Sequence, residues 1–292
     1  MGDSVYKMVT DRIIKELEKG EIPWRKPWTG VRTGAYSRST GKPYSLMNQL
    51  LLGKAGEWLT FKQITEAGGR VKKEEKSSFV VYWKWLPITE KDKDGKEVKK
   101  LIPFLKYYNV FHISQCEGVE PKYKEAQLKD FDPIEEAEKI LAEYSLREHV
   151  PIINEKSNRA YYSPTLDEIH LPLKEQFTDS AEYYSTAFHE SVHSTGHESR
   201  LNRITATAHF GNEEYSKEEL CAELGSAILM NEVGIETPAS FKNSTAYVQS
   251  WLNALKNDCR MIVTAAGKAE KAVKLILNIK EEKKNEADDC GN

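Results

Sequence analysis

The stretch Phe188–His197, FHESVHSTGH, carries His189, Glu190 and His193 in the order His-Glu-x-x-His. On a helix, residues four apart stand one above the other on the same face. His189 and His193 can therefore offer two neutral imidazole nitrogens to one Zn²⁺. Glu190, beside the first of them, is placed to act as general base toward a water polarised by the metal. Ala181, Tyr184, Phe188 and Val192 form an apolar stripe on the adjoining face, and Gly196 supplies a stop one turn past the second histidine. The pattern predicts a buried helix that fixes the direction of its histidines.

Catalytic zinc takes three protein ligands and leaves one position open. The longer motif that ends in a third histidine is not completed here: Gly196 fits it, but Ser199 stands where that histidine belongs, and His197 comes two residues early. A following helix, with EELCAEL at 218–224, offers Glu218, Glu219 and Glu223. Glu219 and Glu223 share a face, so one can bind the metal while the other orients a ligand histidine from behind. We read Glu219 as the ligand and Glu223 as the orienting group, with the reverse assignment left open. Ser216 and Glu219 also have capping-box spacing, which would place the helix start at Ser216. His197, His209 and Tyr215 are candidates for polarising a substrate carbonyl. The run Asp167–Leu173 reads as an edge strand along which an extended peptide could pair, and His170 as a surface residue of it.

Upstream the chain changes character. The 292 residues sum to a net charge of −3, but residues 1–125 hold 24 Lys and Arg against 16 Asp and Glu, whereas residues 126–292 hold 18 against 29. A basic half joined to an acidic half points to a polyanionic partner for the first alone. No run of eighteen apolar residues occurs, the first twenty residues lack the apolar core of a signal peptide, and the four cysteines have no metal-binding spacing. The composition fits a cytoplasmic protein with free thiols and no membrane segment.

The basic half begins with a helical pattern over 5–19, then a Trp- and Pro-rich segment over 22–44. Helices are expected at YSLMNQLLLGKAG and at TFKQITEAGG, the latter opened by Thr60 and Gln63 as a capping box. The runs SSFVVYWKWLPI and LIPFLKYYNVFHI, with β-branched and aromatic residues, read as a hairpin around a charged loop at 89–100. Trp24, Arg25, Lys26, Trp28, Arg32, Arg38, Lys42 and Tyr44 alternate aromatic faces with cations, and Trp83, Lys84 and Trp85 repeat the mixture on a strand. Cations that follow phosphates and rings that stack bases suit single-stranded nucleic acid, at about 1–3 kcal/mol per stacked base.

Read in order, VTDRIIKELEKGEIPWRKPW, TGKPYSLMNQLLL, WLTFKQITEAGG, FVVYWKW and YYNVFHISQCEG resemble the N-terminal domain of ArdC-type antirestriction proteins, which TraC-type plasmid primases share. DEIHLP, FHESVHSTGHESRLNR and FGNEEYSKEELCAELGSAIL resemble the zincin-like metallopeptidase domain that follows it. The resemblance spans about residues 5–280. It implies an α+β protein of two domains: a small α/β single-stranded-DNA-binding domain with a β-hairpin, and a mostly helical zincin-like domain. Carriage on mobile elements such as plasmids and protection of incoming DNA from restriction follow from it. So does a zinc site at His189, His193 and Glu219, with Glu190 as the catalytic base and a protein or peptide as candidate substrate. No stretch resembling a primase catalytic domain follows, so primase activity is not expected. The domains are expected at 1–117 and 132–280, with a linker at 118–131 and a charged tail at 281–292.

Overall fold

The computed structural model describes residues 2–19, 22–25, 34–91, 97–123, 133–204, 213–235 and 245–280. The stretch after residue 123 within the expected linker, and the charged tail, lie outside these.

The first helix, α1 (Gly2–Glu18), buries Val5, Val9, Ile13 and Leu17 at four-residue spacing, one stripe of a 3.6-residue helix. A short 3₁₀ turn at Pro23–Arg25 follows. Next come β1 (Ala35–Ser37), α2 (Leu46–Leu52), β2 (Gly56–Leu59), α3 (Phe61–Glu66) and β3 (Arg70–Val71). The long arms β4 (Ser78–Lys91) and β5 (Glu97–His112) precede the short β6 (Cys116–Glu117). The main sheet has the order β1-β2-β5-β4, and β3 pairs with β6. Thr60 and Gln63 form the expected capping box at the start of α3.

Two polar residues in the apolar run of α2 have backbone partners. β4 is an edge strand, and the Asn48 amide fills its open side: Nδ2 donates to Val81 O at 2.8 Å and Oδ1 accepts from Val81 N at 2.7 Å. Gln49 does the same to Ala35, accepting from its N at 2.6 Å and donating to its O at 2.9 Å. Buried amides paired this way stitch the helix to the sheet at two strands. A Cβ at Gly34 would fall 2.3 Å from Gln49 Oε1 and displace this amide from Ala35.

The hairpin is longer than its apolar runs suggest. Its ladder reaches Thr89↔Lys99, Glu90↔Val98 and Lys91↔Glu97, so most of the expected charged loop is strand. A two-stranded ribbon satisfies its inward backbone groups whatever its side chains.

The acidic half opens with α4 (Pro133–Glu148), followed by β7 (Ile152–Glu155), β8 (Tyr161–Ser163) and β9 (Glu168–Pro172). It ends with α5 (Ser180–Ser194), α6 (Glu213–Glu232), α7 (Thr245–Asn257) and α8 (Met261–Ile276). The three strands order as β7-β9-β8, with β9 parallel to β7 and antiparallel to β8. The expected edge strand at 167–173 is thus the central strand, both of whose sides are taken by neighbours. Among the described residues, the outer edges belong to β7 and β8.

The two domains share one apolar core. Val5, Val9, Ile13, Leu17, Leu46 and Leu105 cluster with Trp251, Leu255, Ile262 and Val273. Polar ties cross the same boundary: Thr10 Oγ1 donates to Cys259 O at 2.7 Å. Leu46 N, at the start of α2, donates to Glu270 Oε2 at 2.9 Å. Ser45 makes no side-chain cap there, so a carboxylate of α8 fills that role.

Candidate metal centre

Asp179 caps α5 by accepting from Glu182 N at 2.9 Å, and Glu182 reaches back to Thr178 N at 3.2 Å. Of the expected stripe, Tyr184, Phe188 and Val192 are buried while Ala181 is half-buried, and Ala187 joins them inside. His189 and His193 converge: their Nε2 atoms are 3.1 Å apart, with the rings edge to face. From α6, Glu219 brings Oε1 to 3.3 Å from His193 Nε2 and Oε2 to 3.7 Å from His189 Nε2. Among the described residues these three are the group whose donor atoms all lie within 4.8 Å of one another. Two ring nitrogens and a carboxylate oxygen aimed at one point fit a divalent metal with an open coordination position. Glu190, on the same turn, is buried beside them.

Close helix packing makes this possible. At Gly225, less than two turns past Glu219, a Cβ would stand 2.7 Å from Val192 Cγ2. A side chain there would push α6 from α5 and carry Glu219 away from the histidines. The helix α6 also starts earlier than its capping pattern indicates, at Glu213. Ser216 is therefore inside the helix rather than its cap, and Glu219 is not spent as a capping partner.

The electrostatics favour a cation at the site. Burial would lower the pKa of His193, but hydrogen bonding to Glu218 and Glu219 and the charge of Glu190 outweigh it and raise the value to about 10. Burial likewise opposes ionisation of Glu219, yet His189 and His193 hold its carboxyl well below the usual range. The carboxylates that favour a proton on His193 carry the negative charge that a divalent ion in its place would need.

Glu223 is not in the donor group. The carboxylate found behind His193 is Glu218, whose Oε1 lies 3.4 Å from Nδ1. The return loop after α5 is held by two arginines that sequence reasoning passed over. Arg200 donates to Ser194 O at 2.9 Å, to Asp167 Oδ2 at 3.0 Å and to Tyr162 OH at 3.3 Å. Arg203 ties Glu218 to the end of α5. Their signal was SRLNR at 199–203, two guanidinium groups just past a helix whose last carbonyls need donors. His197 accepts from Ser199 N at 3.3 Å and faces Asp167. His170 stacks on Tyr161 with centroids 4.7 Å apart. His209 and the Tyr215 side chain lie outside the described residues.

The expected DNA-contact residues divide. Trp24 is fully buried and packs edge-on against Trp251, centroids 5.4 Å apart, so it has no face for a base; it belongs to the domain junction. Arg38 pairs with the buried Glu57 and donates to Glu120 O at 3.0 Å, which makes it a structural tie of the module. Trp83 and Trp85 are 43% and 59% exposed on the ribbon. They share a face with Leu101, Pro103 and Leu105, while Lys84 lies on the opposite face with Tyr82, Lys106 and Tyr108. Lys42 and Tyr44 stand beside the main sheet, next to the bridge Tyr36↔Pro43. Lys26, Trp28, Arg32 and the Arg25 side chain lie outside the described residues. No helix among the described residues is long and apolar enough to cross a membrane.

Residues 3–111 match the N-terminal domain of anti-restriction factor ArdC, and residues 135–268 match the zincin-like metallopeptidases. A zincin-like domain implies a divalent metal. The chain is 36% identical to an Escherichia coli DNA primase TraC and 35% to a second, across 93% of its own length. It spans only 27% and 20% of those primases. An uncharacterized protein y4eC of Sinorhizobium fredii is 30% identical, with 91% of this chain and 89% of that protein covered. Two crystal structures of antirestriction ArdC from plasmid R388 superimpose along nearly the whole chain. The metal-free one has a TM-score of 0.72 at 38% identity, covering 94% of this chain and 96% of that one. The Mn(II)-bound one has 0.74 at 37%, covering 94% and 97%. The chain belongs to the ArdC family of antirestriction proteins, with an ArdC-type N-terminal domain and a zincin-like C-terminal domain.

Proposed function

We propose that this chain acts in the cytoplasm to protect incoming DNA, binding single-stranded DNA through its N-terminal domain and holding Zn²⁺ in a peptidase site. The domains run from 1 to 117 and from 132 to 280. The convergence of His189, His193 and Glu219 within 4.8 Å, with Glu190 on the same turn, carries the reading. The ion supplies Lewis-acid polarisation of a peptide carbonyl and a more acidic water. Glu190 then takes a proton from the attacking water and returns it to the leaving amine. A peptide substrate extends along β8: this edge strand is linked to the end of α5 through Tyr162, Arg200 and Ser194.

The DNA strand lies on the β4–β5 ribbon, where exposed Trp83 and Trp85 stack bases, while Lys84 adds positive charge from the opposite face. Among related proteins, likeness to a plasmid antirestriction factor and to DNA primases supports this partner. The shared core favours a second reading of the same parts, a protease tethered to DNA that cuts proteins bound there. Protection from restriction in cells carrying Glu190→Gln separates the two. Full protection with metal still bound assigns the function to DNA shielding, and its loss with DNA binding intact assigns it to proteolysis.

A further inference from the structure

We infer that Glu218 and Arg203 are positioning residues for the metal centre: Glu218 takes the Nδ1–H of His193, leaving Nε2 as the metal donor, and Arg203 holds the Glu218 carboxylate in place. The inference rests on the metal-centre reading above. A neutral imidazole has one lone pair, and the partner of one nitrogen decides which nitrogen offers it. Consecutive residues of α6 bracket this ring, Glu219 at 3.3 Å from Nε2 and Glu218 at 3.4 Å from Nδ1. At 3.4 Å the contact is long for a hydrogen bond, and contacts of this kind tighten when the site is filled.

Arg203 leaves Glu218 little freedom. Its Nη2 donates to Oε1 at 2.8 Å and its Nε to Oε2 at 3.2 Å, a two-point grip on a planar group. The same guanidinium donates to Val192 O and to Thr195 Oγ1, each at 2.8 Å. Val192 O is available because Gly196 N turns instead to His193 O at 2.8 Å as the helix ends. The chain of contacts thus closes on the helix that carries His193: ring, Glu218, Arg203, and back to α5. Arg203 is nearly buried, at 5% side-chain exposure, so its charge is committed to this grip. Histidine ligands backed by a carboxylate lose about 10–100-fold in metal affinity when that partner is removed.

The test measures Zn²⁺ affinity of the chelator-stripped full-length protein, by competition with a chromophoric chelator, together with the Tm of the metal-free form. Glu218→Ala is expected to weaken Zn²⁺ about 10–100-fold. Glu218→Gln, which keeps the shape and an acceptor oxygen, is expected to fall between it and wild type. Arg203→Lys, which keeps charge but loses the two-point grip, is expected to weaken binding as Glu218→Gln does. The isosteric Glu218→Gln keeps the test open if Glu218→Ala does not fold. Wild-type Zn²⁺ affinity in both folded variants, with only Tm lowered, would overturn the inference and leave the pair a structural tie. If wild type itself binds no Zn²⁺ that His189→Ala abolishes, the metal-centre reading fails first.

Discussion

Between α5 and α6 the charges of His193, Glu218, Glu219 and Arg203 meet one another inside the protein. Along the outer β4–β5 ribbon, Trp83, Trp85, Leu101 and Ile102 stand in water. The helix pair is self-complementary: buried charges must find partners, so each position is constrained by the next. The ribbon pairs most of its backbone arm to arm; Trp83 meets Tyr6 of α1 edge-on, yet Trp83 and Trp85 keep much of their ring surface exposed, as a surface open to a partner outside the chain would. One region is built inward and the other outward, and their responses to substitution should differ accordingly.

Trp24 sharpens that comparison most, because its sequence neighbourhood suggests the outward kind and its burial the inward kind. Trp24→Ala is expected to cost about 3–5 kcal/mol of stability, as large core deletions do. Urea unfolding checks this, and DNA affinity of the folded fraction should be unchanged. His189→Ala removes a proposed ligand and is expected to weaken Zn²⁺ by more than about 100-fold, by metal analysis. Single-stranded DNA affinity in that variant should stay at the wild-type level, and its loss would break the separation of the two regions.

Trp85→Ala is expected to lose about 1–3 kcal/mol of single-stranded DNA affinity with little change in Tm, by fluorescence anisotropy at fixed salt. Gly225→Ala should do the reverse. Crowding Val192 is expected to cost about 1–3 kcal/mol of stability and to weaken the metal site, with DNA binding intact.

The last prediction concerns pH dependence. In metal-free protein the folded pKa of His193 is raised to about 10 from 6.5, so its stabilisation is complete below about pH 6.5 and is lost as pH rises toward 10. Glu219, shifted down, sets the opposite edge: its contribution is present above its ordinary range and lost on acidification. The Tm of the stripped protein should therefore decline from pH 6.5 upward, and zinc, by replacing the proton, should flatten that decline.

The inward region was the more legible in the sequence. Helical spacing and a metal's need for a third donor pointed to His189, Glu190, His193 and Glu219, and the structure brings these side chains together. Glu218 was harder to assign, because neighbours at 218, 219 and 223 all carry carboxylates and only the approach angle of α6 selects among them. Ser216 misled because a capping pattern inside a helix looks the same as one at its start. The strand at 168–172 was found, but its place at the sheet centre depends on the neighbours β7 and β8, whose runs are four and three residues long. Trp24 shows the limit for the outward region: aromatic and basic composition does not distinguish a ring that stacks a base from one that seals a domain junction.

The central claim is that one divalent ion is held by His189, His193 and Glu219. Anomalous diffraction from crystals of this protein soaked in Zn²⁺, with data on both sides of the zinc absorption edge, tests it most directly. One peak per chain between the two Nε2 atoms and the Glu219 carboxylate, with Glu218 behind His193, is the expected result. A peak bound by Glu223 in place of Glu219, or no peak on these histidines at saturating zinc, would contradict it.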